Sequence, residues 1–293
     1  MLNNIISIII PTFNQANYIK RCLESISNQT IKNYEIIIID KYSKDNTKKI
    51  IEDFKSLPIK LFQIENQGII ANSRNYGIKK AKGDVIAFLD SDDYWKPNKL
   101  EESYKKIIEG YDLVFHNLEL SGSKKKLFKK KILKGRKLNN PFFKDLIING
   151  NPISNSSVIV KKKILFSVNL INEEKKMNAA EDYNLWIKIS QQTEKFYFIN
   201  KTLGYYQFNL QGASRKKNMS YATNNAIKNF FSLLNKKEIS LSKARIFYMG
   251  AKYYYDKNKI NFCKKKLLLA FKYGKLKVKI KSALLLFMIK FKK

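Results

Sequence analysis

Three aspartates fall within four residues, Asp90, Asp92 and Asp93, where the apolar run Val85–Leu89 stops in "VIAFLDSDDYW". Carboxylates at D-x-D spacing reach a hard divalent cation such as Mg²⁺ or Mn²⁺, directly or through its waters, because these ions take oxygen ligands. Two carboxylates leave coordination positions open, so such an ion bridges to substrate phosphates and offsets charge on a leaving diphosphate. The plainer alternative makes Asp93 the cap of a following helix and the other acids solvated turn residues. A second acidic pair, Glu181-Asp182, opens "EDYNLWIKI" (181–189). One carboxylate there can take the proton from an attacking hydroxyl. Alternatively, both acids only add favourable first-turn charge to a helix that turns Leu185, Trp186 and Ile189 inward.

Such groups act together only if the chain brings them to one edge. The aliphatic run 4–10, ended by Pro11, reads as a strand buried on both faces, followed by a helical stripe of Ile19, Cys22, Leu23 and Ile26. Tyr34–Ile39, closed by Asp40, is a second strand, and Ile50, Ile51 and Phe54 mark a helix. Ile59–Ile64 reads as a third strand, Ile70–Ala81 as a helix stopped near Gly83, and Val85–Leu89 as a fourth strand. Pro97 opens a further helix with Leu100, Tyr104, Ile107 and Ile108 inward. This alternation predicts an α/β fold with a mostly parallel sheet flanked by helices. Open α/β sheets bind ligands beyond the carboxyl ends of their strands. Thr12–Asn14, Asp40 and Asp90–Asp93 all fall at such ends and are expected to share one crevice. Residues 121–140 read as an exposed basic loop or hairpin, "SNSSVIV" (154–160) as another strand, and the chain beyond about residue 220 as purely helical. A boundary near residue 215 divides a domain 1–215 from a basic helical region 216–293.

Bulk composition narrows the function classes. Of 293 residues, 57 are Lys or Arg and 24 Asp or Glu, a net charge of +33, yet only five are arginine. A nucleic-acid reader relies on arginine for bidentate contacts, so nucleic acid is not the expected partner. The rival reading as a nucleic-acid binder rests on charge alone, while the predicted crevice is acidic. An anionic membrane surface is the better match for dispersed lysine. Cys22 and Cys263 fit no metal or redox spacing and suit a reduced, cytoplasmic setting, with one long-range disulfide as the alternative. The first residues show no signal-peptide pattern, and no apolar run approaches the ~20 residues of a spanning helix.

Taken in order, "SIIIPTFNQANYIKRCLESISNQTIKNYEIIIID", "SKDNT", "NQGIIANSRNYGIKKAKGDVIAFLDSDD" and "AAEDYNLWIKI" resemble family 2 glycosyltransferases of GT-A fold. The resemblance spans roughly the first 215 residues. It implies inverting transfer of a sugar from a nucleotide-diphosphate-sugar donor to a glycan or lipid-linked hydroxyl, assisted by Mn²⁺ or Mg²⁺, in the making of a bacterial surface glycan. By position it implies that Pro11, Thr12, Asn14, Asp40, Arg74, Asn75, Asp90 and Ser91 line the donor site. Asp90 and Asp92 hold the metal, Asp182 is the general base and Glu181 its neighbour in the catalytic pair. Leaving-group assistance then falls to the metal, so one base is sufficient.

The departures carry information too. The family's D-D-G-S after the second strand reads "DKYS" here, with Lys41 and Tyr42 replacing an acid that contacts the uracil ring and a glycine. A later Tyr-Arg-x-His segment is replaced by Gln207 and Asn209. These changes define the rival reading, a degenerate GT-A protein that binds nucleotide-sugar or a partner without catalysis; retention of both acidic pairs counts against it. His116, the sole histidine, lies in strand-like "DLVFHNL" and is expected to be structural. The C-terminal "KLKVKIKSALLLFMIKFKK" suits either a helix lying in the interface of an anionic membrane or one packed on its predecessors.

Overall fold

The computed structural model describes residues 5–122, 131–208 and 218–290. In chain order the elements are β1 (Ile6–Thr12), α1 (Ala16–Ser27), β2 (Tyr34–Asp40), α2 (Thr47–Asp53), β3 (Ile59–Gln63), α3 (Ile70–Lys80), β4 (Val85–Phe88), β5 (Tyr94–Trp95) and α4 (Lys99–Ile108). They continue with β6 (Leu113–Ser121), β7 (Ile132–Leu133), α5 (Phe142–Asn149), β8 (Ile159–Lys161), α6 (Lys162–Ser167), α7 (Glu181–Gln192) and β9 (Phe196–Gln207). Four helices close the described chain: α8 (Met219–Ile227), α9 (Lys236–Asp256), α10 (Ile260–Tyr273) and α11 (Leu276–Lys290). Two compact units result, Met1–Leu138 with Pro152–Glu173 and Lys188–Asn209, and Asn139–Asn151 with Glu174–Ile187 and Leu210–Lys293.

The first unit is built on one sheet of order β3-β2-β1-β4-β8-β6-β9-β5, with β7 paired to β6. Strands β3, β2, β1 and β4 are mutually parallel, as the βα alternation demands. Beyond β4 the direction changes: β8 runs antiparallel to β4, β6 antiparallel to β8, and β9 parallel to β6. Every residue of β1 and β2 is buried, which explains their unbroken isoleucine runs. Ile6, Ile8, Ile10, Ile36 and Ile38 meet the α1 stripe of Ile19, Cys22, Leu23 and Ile26 and the α4 residues Leu100 and Ile107. The alternate residues Ile9 and Ile39 point toward α3, which comes so close that a Cβ on Gly77 would lie 2.7 Å from Ile39 and 2.8 Å from Ile9. That close approach fixes the height of Arg74 and Asn75, one turn earlier on α3.

Several expectations need correction. Pro11 does not end the first strand but lies inside β1, paired with Ile39. Ile9 O accepts from Leu89 N, and Pro11, two residues on, faces the same side, where β4 has already ended. No ladder donor is missing there. Ile108 is 65% exposed, because it falls outside the stripe of Leu100, Tyr104 and Ile107. Lys99 takes the inward place instead, fully buried with Nζ 3.8 Å from the centroid of the Trp95 ring. The strand expected at 154–160 starts late: Asn155–Ser157 form a 3-10 turn before β8. Asn4 and residues 123–130 of the basic excursion lie outside the described residues.

The second unit is helical. Its α5 is clasped by Tyr183, whose hydroxyl donates to Leu146 O at 2.6 Å, and by Ser242 and Arg245, which both donate to Ile147 O at 3.1 Å. A reciprocal capping box between Asn235 and Glu238 starts α9. Ala251, Cys263, Leu267 and Ile289 form a small core among α9, α10 and α11. Both cysteines are buried, Cys263 here and Cys22 in the first unit, and no disulfide joins them.

Candidate active site

The carboxyl ends of β1, β2 and β4 lie side by side, and two polar clusters form there. At the end of β2, Asp40 is fully buried. Its carboxylate accepts from the Ser43 amide at 2.9 Å, from the Ser43 hydroxyl, and from Gln63 Nε2 at 3.1 Å. Ser43 Oγ accepts from Asn14 N at 2.8 Å, while Asn14 Oδ1 accepts from Lys44 N at 2.9 Å. Asp45 continues the lacing, accepting from the amides of Ala16 and Thr47, each at 3.0 Å. Burial pulls the Asp45 carboxyl up, but the Thr47 hydroxyl and these amides outweigh it and leave the group below its ordinary value. Thr12 Oγ1 is buried beside this cluster with no hydrogen-bond partner among the described residues. Lys41 Nζ stands 3.7 Å from Glu65 and 5.2 Å from the Phe13 ring centroid.

At the end of β4 three acids fall within one tight turn. Asp90 accepts from Arg74 Nη2 at 2.7 Å and from Asn155 Nδ2 at 3.1 Å, and its own amide donates to Ser156 Oγ at 3.1 Å. Its carbonyl accepts from Asp93 N at 2.9 Å, closing a tight turn across the buried Ser91. Asp93 is not a helix cap: Asn98 precedes α4, and buried Asp93 accepts from Gln207 N at 2.8 Å. Burial, reinforced by the Asp90 charge, raises the Asp92 carboxyl to about 6. Burial and then the charges of Asp92 and Asp90 push Asp93 well above the carboxylate range. Arg21 Nη2 donates to the Asp92 carbonyl at 3.1 Å and to Gln207 Oε1 at 2.8 Å, its guanidinium 4.0 Å over the Tyr94 ring. No three His, Cys, Asp or Glu side chains converge as a complete metal cage among the described residues. An all-oxygen pair whose like charges repel nonetheless suits a hard divalent cation that takes its remaining ligands from substrate and water.

The other candidates are placed as follows. Asn75 is buried, donating to Ile171 O and Glu173 Oε1, each at 2.8 Å, and accepting from Ile171 N at 3.0 Å. Its amide braces the 171–173 backbone. Glu181 and Asp182 open α7 in the second unit. Glu181 is buried and accepts from Ala179 N at 2.6 Å, pinning the turn before the helix. Asp182 is only half-buried and accepts from Tyr183 N at 2.7 Å. Leu185, Trp186 and Ile189 are fully buried. His116 is buried in β6, its Nδ1 2.8 Å from Asn117 O; burial and then Lys99 lower it to about 3, so it is neutral at ordinary pH. Asn209 lies outside the described residues. The structure adds Arg21, Asp45, Asn155 and Ser156 to the two clusters. Only the scarcity of arginine singles out Arg21 in the sequence, and the polar "SNSS" is a turn signal.

A sheet of this order, with a D-x-D turn at the carboxyl end of β4, has the GT-A fold. The chain belongs to glycosyl transferase family 2, whose profile matches residues 7–167. Among curated relatives, an uncharacterized glycosyltransferase of Rickettsia bellii is 36% identical over 188 residues, 64% of this chain and 26% of the relative. The GalNAc(5)-diNAcBac-PP-undecaprenol beta-1,3-glucosyltransferase of Campylobacter jejuni is 33% identical over 209 residues, 69% of this chain and 64% of the relative. Several such relatives are much longer, and the chain's match spans only 16% of the Streptococcus pneumoniae glycosyltransferase GlyA. Among solved structures, S. aureus TarS 1-349 in complex with UDP superposes with TM-score 0.58 at 20% identity, covering 92% of this chain and 90% of the other. The mannosyltransferase PcManGT from Pyrobaculum calidifontis, in complex with GDP-Man and Mn2+, gives 0.63 at 15% identity, covering 98% and 81%.

Proposed function

We propose that this chain is an inverting glycosyltransferase, moving a sugar from a nucleotide-diphosphate-sugar to a hydroxyl of a surface-glycan or lipid-linked acceptor at the cytoplasmic membrane face. One observation carries the reading: Asp90, Asp92 and Asp93 share one turn at the carboxyl end of β4, where burial and the neighbouring acidic charges raise Asp92 and Asp93 above their ordinary values. Repulsion of this kind destabilises the folded state unless a cation offsets it. The UDP in the TarS complex and the GDP-Man and Mn2+ in the PcManGT complex support a donor of this class and a metal. The undecaprenol-linked acceptor in the name of the Campylobacter relative supports a lipid-linked acceptor.

In this mechanism Asp90 and Asp92 would hold a divalent cation, with Arg74 and Asn155 fixing the Asp90 carboxylate; such an ion would supply Lewis-acid stabilisation of charge on the diphosphate. Thr12 offers its unpaired, buried hydroxyl toward the donor, while the Ser43 network keeps Asp40 and Asn14 in place. Asp182, the more exposed of its pair, takes the proton from the acceptor hydroxyl, and Glu181 holds the helix start.

The test is donor hydrolysis and transfer with a panel of nucleotide-sugars, with Mn²⁺ and in excess chelator, beside thermal-shift binding. The proposal expects binding and turnover that both need the metal. Full activity under chelation removes the metal assignment. Metal-dependent binding with no turnover on any acceptor favours a non-catalytic binder, a reading supported by Gln207 being engaged with Arg21 and Asp93.

A further inference from the structure

Helix α11 is apolar on two opposite sides. Ile289 and Ser282 are buried toward the small core, with Leu285 and Leu286 packed against it. The other side faces solvent: Leu276, Ile280, Leu284, Phe287 and Met288 are each between 51 and 73% exposed. Their spacing of three and four residues places them on one continuous stripe. Lys277 and Lys281 follow the stripe residues by one position and Lys279 precedes one, so lysines flank the stripe on both sides. From Lys257 to Lys290 the chain has 11 lysines and no aspartate or glutamate. No helix is long and apolar enough to cross a membrane among the described residues. At 15 residues, α11 is roughly 22 Å long, short of the ~30 Å hydrocarbon layer.

We infer that the exposed apolar face of α11 docks in the plane of an anionic lipid bilayer. The stripe enters the boundary between headgroups and acyl chains, and the flanking lysines extend their aliphatic stems to place ammonium groups at lipid phosphates. Charge decides between this occupant and a second copy of the chain. A symmetric self-contact would set lysine-flanked stripes against each other with no acid in the segment to offset them. A bilayer containing anionic lipid supplies the missing charge. This surface is defined without reference to the sugar-transfer reading and stands or falls separately from it.

A net charge of +33 draws the protein to anionic vesicles in any event, so the decisive variant leaves charge untouched. The full 293-residue chain is sedimented with vesicles of phosphatidylcholine, alone or with one-third phosphatidylglycerol, at ~0.15 M salt, where diffuse attraction is screened beyond ~8 Å. The double variant Leu284→Ser/Phe287→Ser is expected to lower the partition coefficient at least tenfold, since two large apolar side chains no longer enter the lipid. Lys277→Glu/Lys281→Glu is expected to abolish the preference for phosphatidylglycerol. Circular dichroism melts check that these exposed substitutions leave the fold intact, and Phe262→Ser, at an exposed aromatic on α10, is a matched control if the double variant misfolds. Unchanged sedimentation of the serine variant overturns the proposal, as does failure of the wild-type chain to sediment. A shift from dimer to monomer in the serine variant, with vesicle binding unaltered, assigns the face to a second copy instead.

Discussion

The ends of β2 and β4 lie close together in one parallel sheet and both collect aspartates, yet the two clusters are built on opposite principles. At β2, Asp40 and Asp45 are surrounded by donors: two hydroxyls, several amides and a glutamine nitrogen. Each charge is satisfied within the fold, and the cluster ties the loop after β1 to the loop after β2. At β4, Arg74 and Asn155 satisfy Asp90, while burial and neighbouring acidic charge outweigh Arg21 and raise Asp92, and raise Asp93 as well. A carboxylate with its donors in place is scaffold, whereas acids that raise one another are where the proposed cation would bind. The number of acids is a poor guide to chemistry; what surrounds them distinguishes a loop anchor from a metal site.

The largest effects should come from exchanging charge for amide at the two ends. Asp92→Asn is expected to reduce sugar transfer to background and weaken Mn²⁺-dependent donor binding, while the metal-free protein melts at the same or a higher temperature. Asp40→Asn should do the reverse in stability, lowering it by about 1–3 kcal/mol because a buried acceptor of several hydrogen bonds is altered. Parallel melts and rates settle the matter: destabilisation by Asp92→Asn would show that its carboxylate is also scaffold. At α7 the corresponding contrast is between neighbours. Removing the general base by Asp182→Asn should cost on the order of 10²–10⁴ in turnover, with donor affinity near normal. Glu181→Gln should act chiefly on stability through the Ala179 contact. Near-normal turnover in Asp182→Asn with a dead Glu181→Gln reverses the assignment.

The two ends should also differ in the sign of their pH response. Asp45 titrates below its ordinary value in the folded chain, so its contribution is present above an unfolded pKa of ~3.9 and is lost as pH falls through the folded value. Asp92 is raised to about 6. Its contribution is present below ~3.9 and is lost as pH rises through about 6, when the folded state must accept a charge that the unfolded chain carries freely. Denaturation between pH 4 and 7 should therefore show Asp92→Asn removing a loss of stability toward neutrality, and denaturation below pH 4 should show Asp45→Asn removing one toward acid. Saturating Mn²⁺ should flatten the wild-type loss toward neutrality. A pH response unaffected by Asp92→Asn would falsify the proposed repulsion.

Much of the parallel half was legible because β1 and β2 carry unbroken isoleucine runs and β4 is an apolar run, each ending at polar residues. Asp40 and Asp90 were visible for the same reason, since an apolar run that stops at aspartate places the aspartate at a strand end. The antiparallel half was not. β5 and β7 are two residues each, and the long β9 is interrupted by Asn200-Lys201-Thr202 and Gly204, so their pairing depends on distant partners. β6 adds register shifts around Asn117. Pro11 was misplaced because a proline excludes a strand only where both neighbours continue. Lys99 escaped because a lysine buried beneath a tryptophan ring breaks no local pattern. Arg21 shows the same limit: it acts through a carbonyl, a glutamine and a ring drawn from three distant parts of the chain.

The smallest expected effect concerns Tyr42, in the loop that follows β2. Its φ is +49°, the left-handed region, where a side chain meets its own carbonyl. The resemblance to family 2 glycosyltransferases implies glycine in that place, and glycine adopts such a φ without strain. The tyrosine ring is 53% exposed, so little packing is lost by removing it. Relief of the backbone contributes about 1–2 kcal/mol, and the greater freedom of glycine in the unfolded chain takes back about 0.5–1 kcal/mol. Tyr42→Gly should therefore stabilise the chain by about 0.5–1 kcal/mol in denaturant melts, tightening the β2 end without altering its charges. If stability falls instead, the ring has a packing role that outweighs the backbone. If stability rises while donor affinity falls, tyrosine has been kept at a strained position because its ring faces the nucleotide, and the scaffold at β2 is part of the binding surface after all.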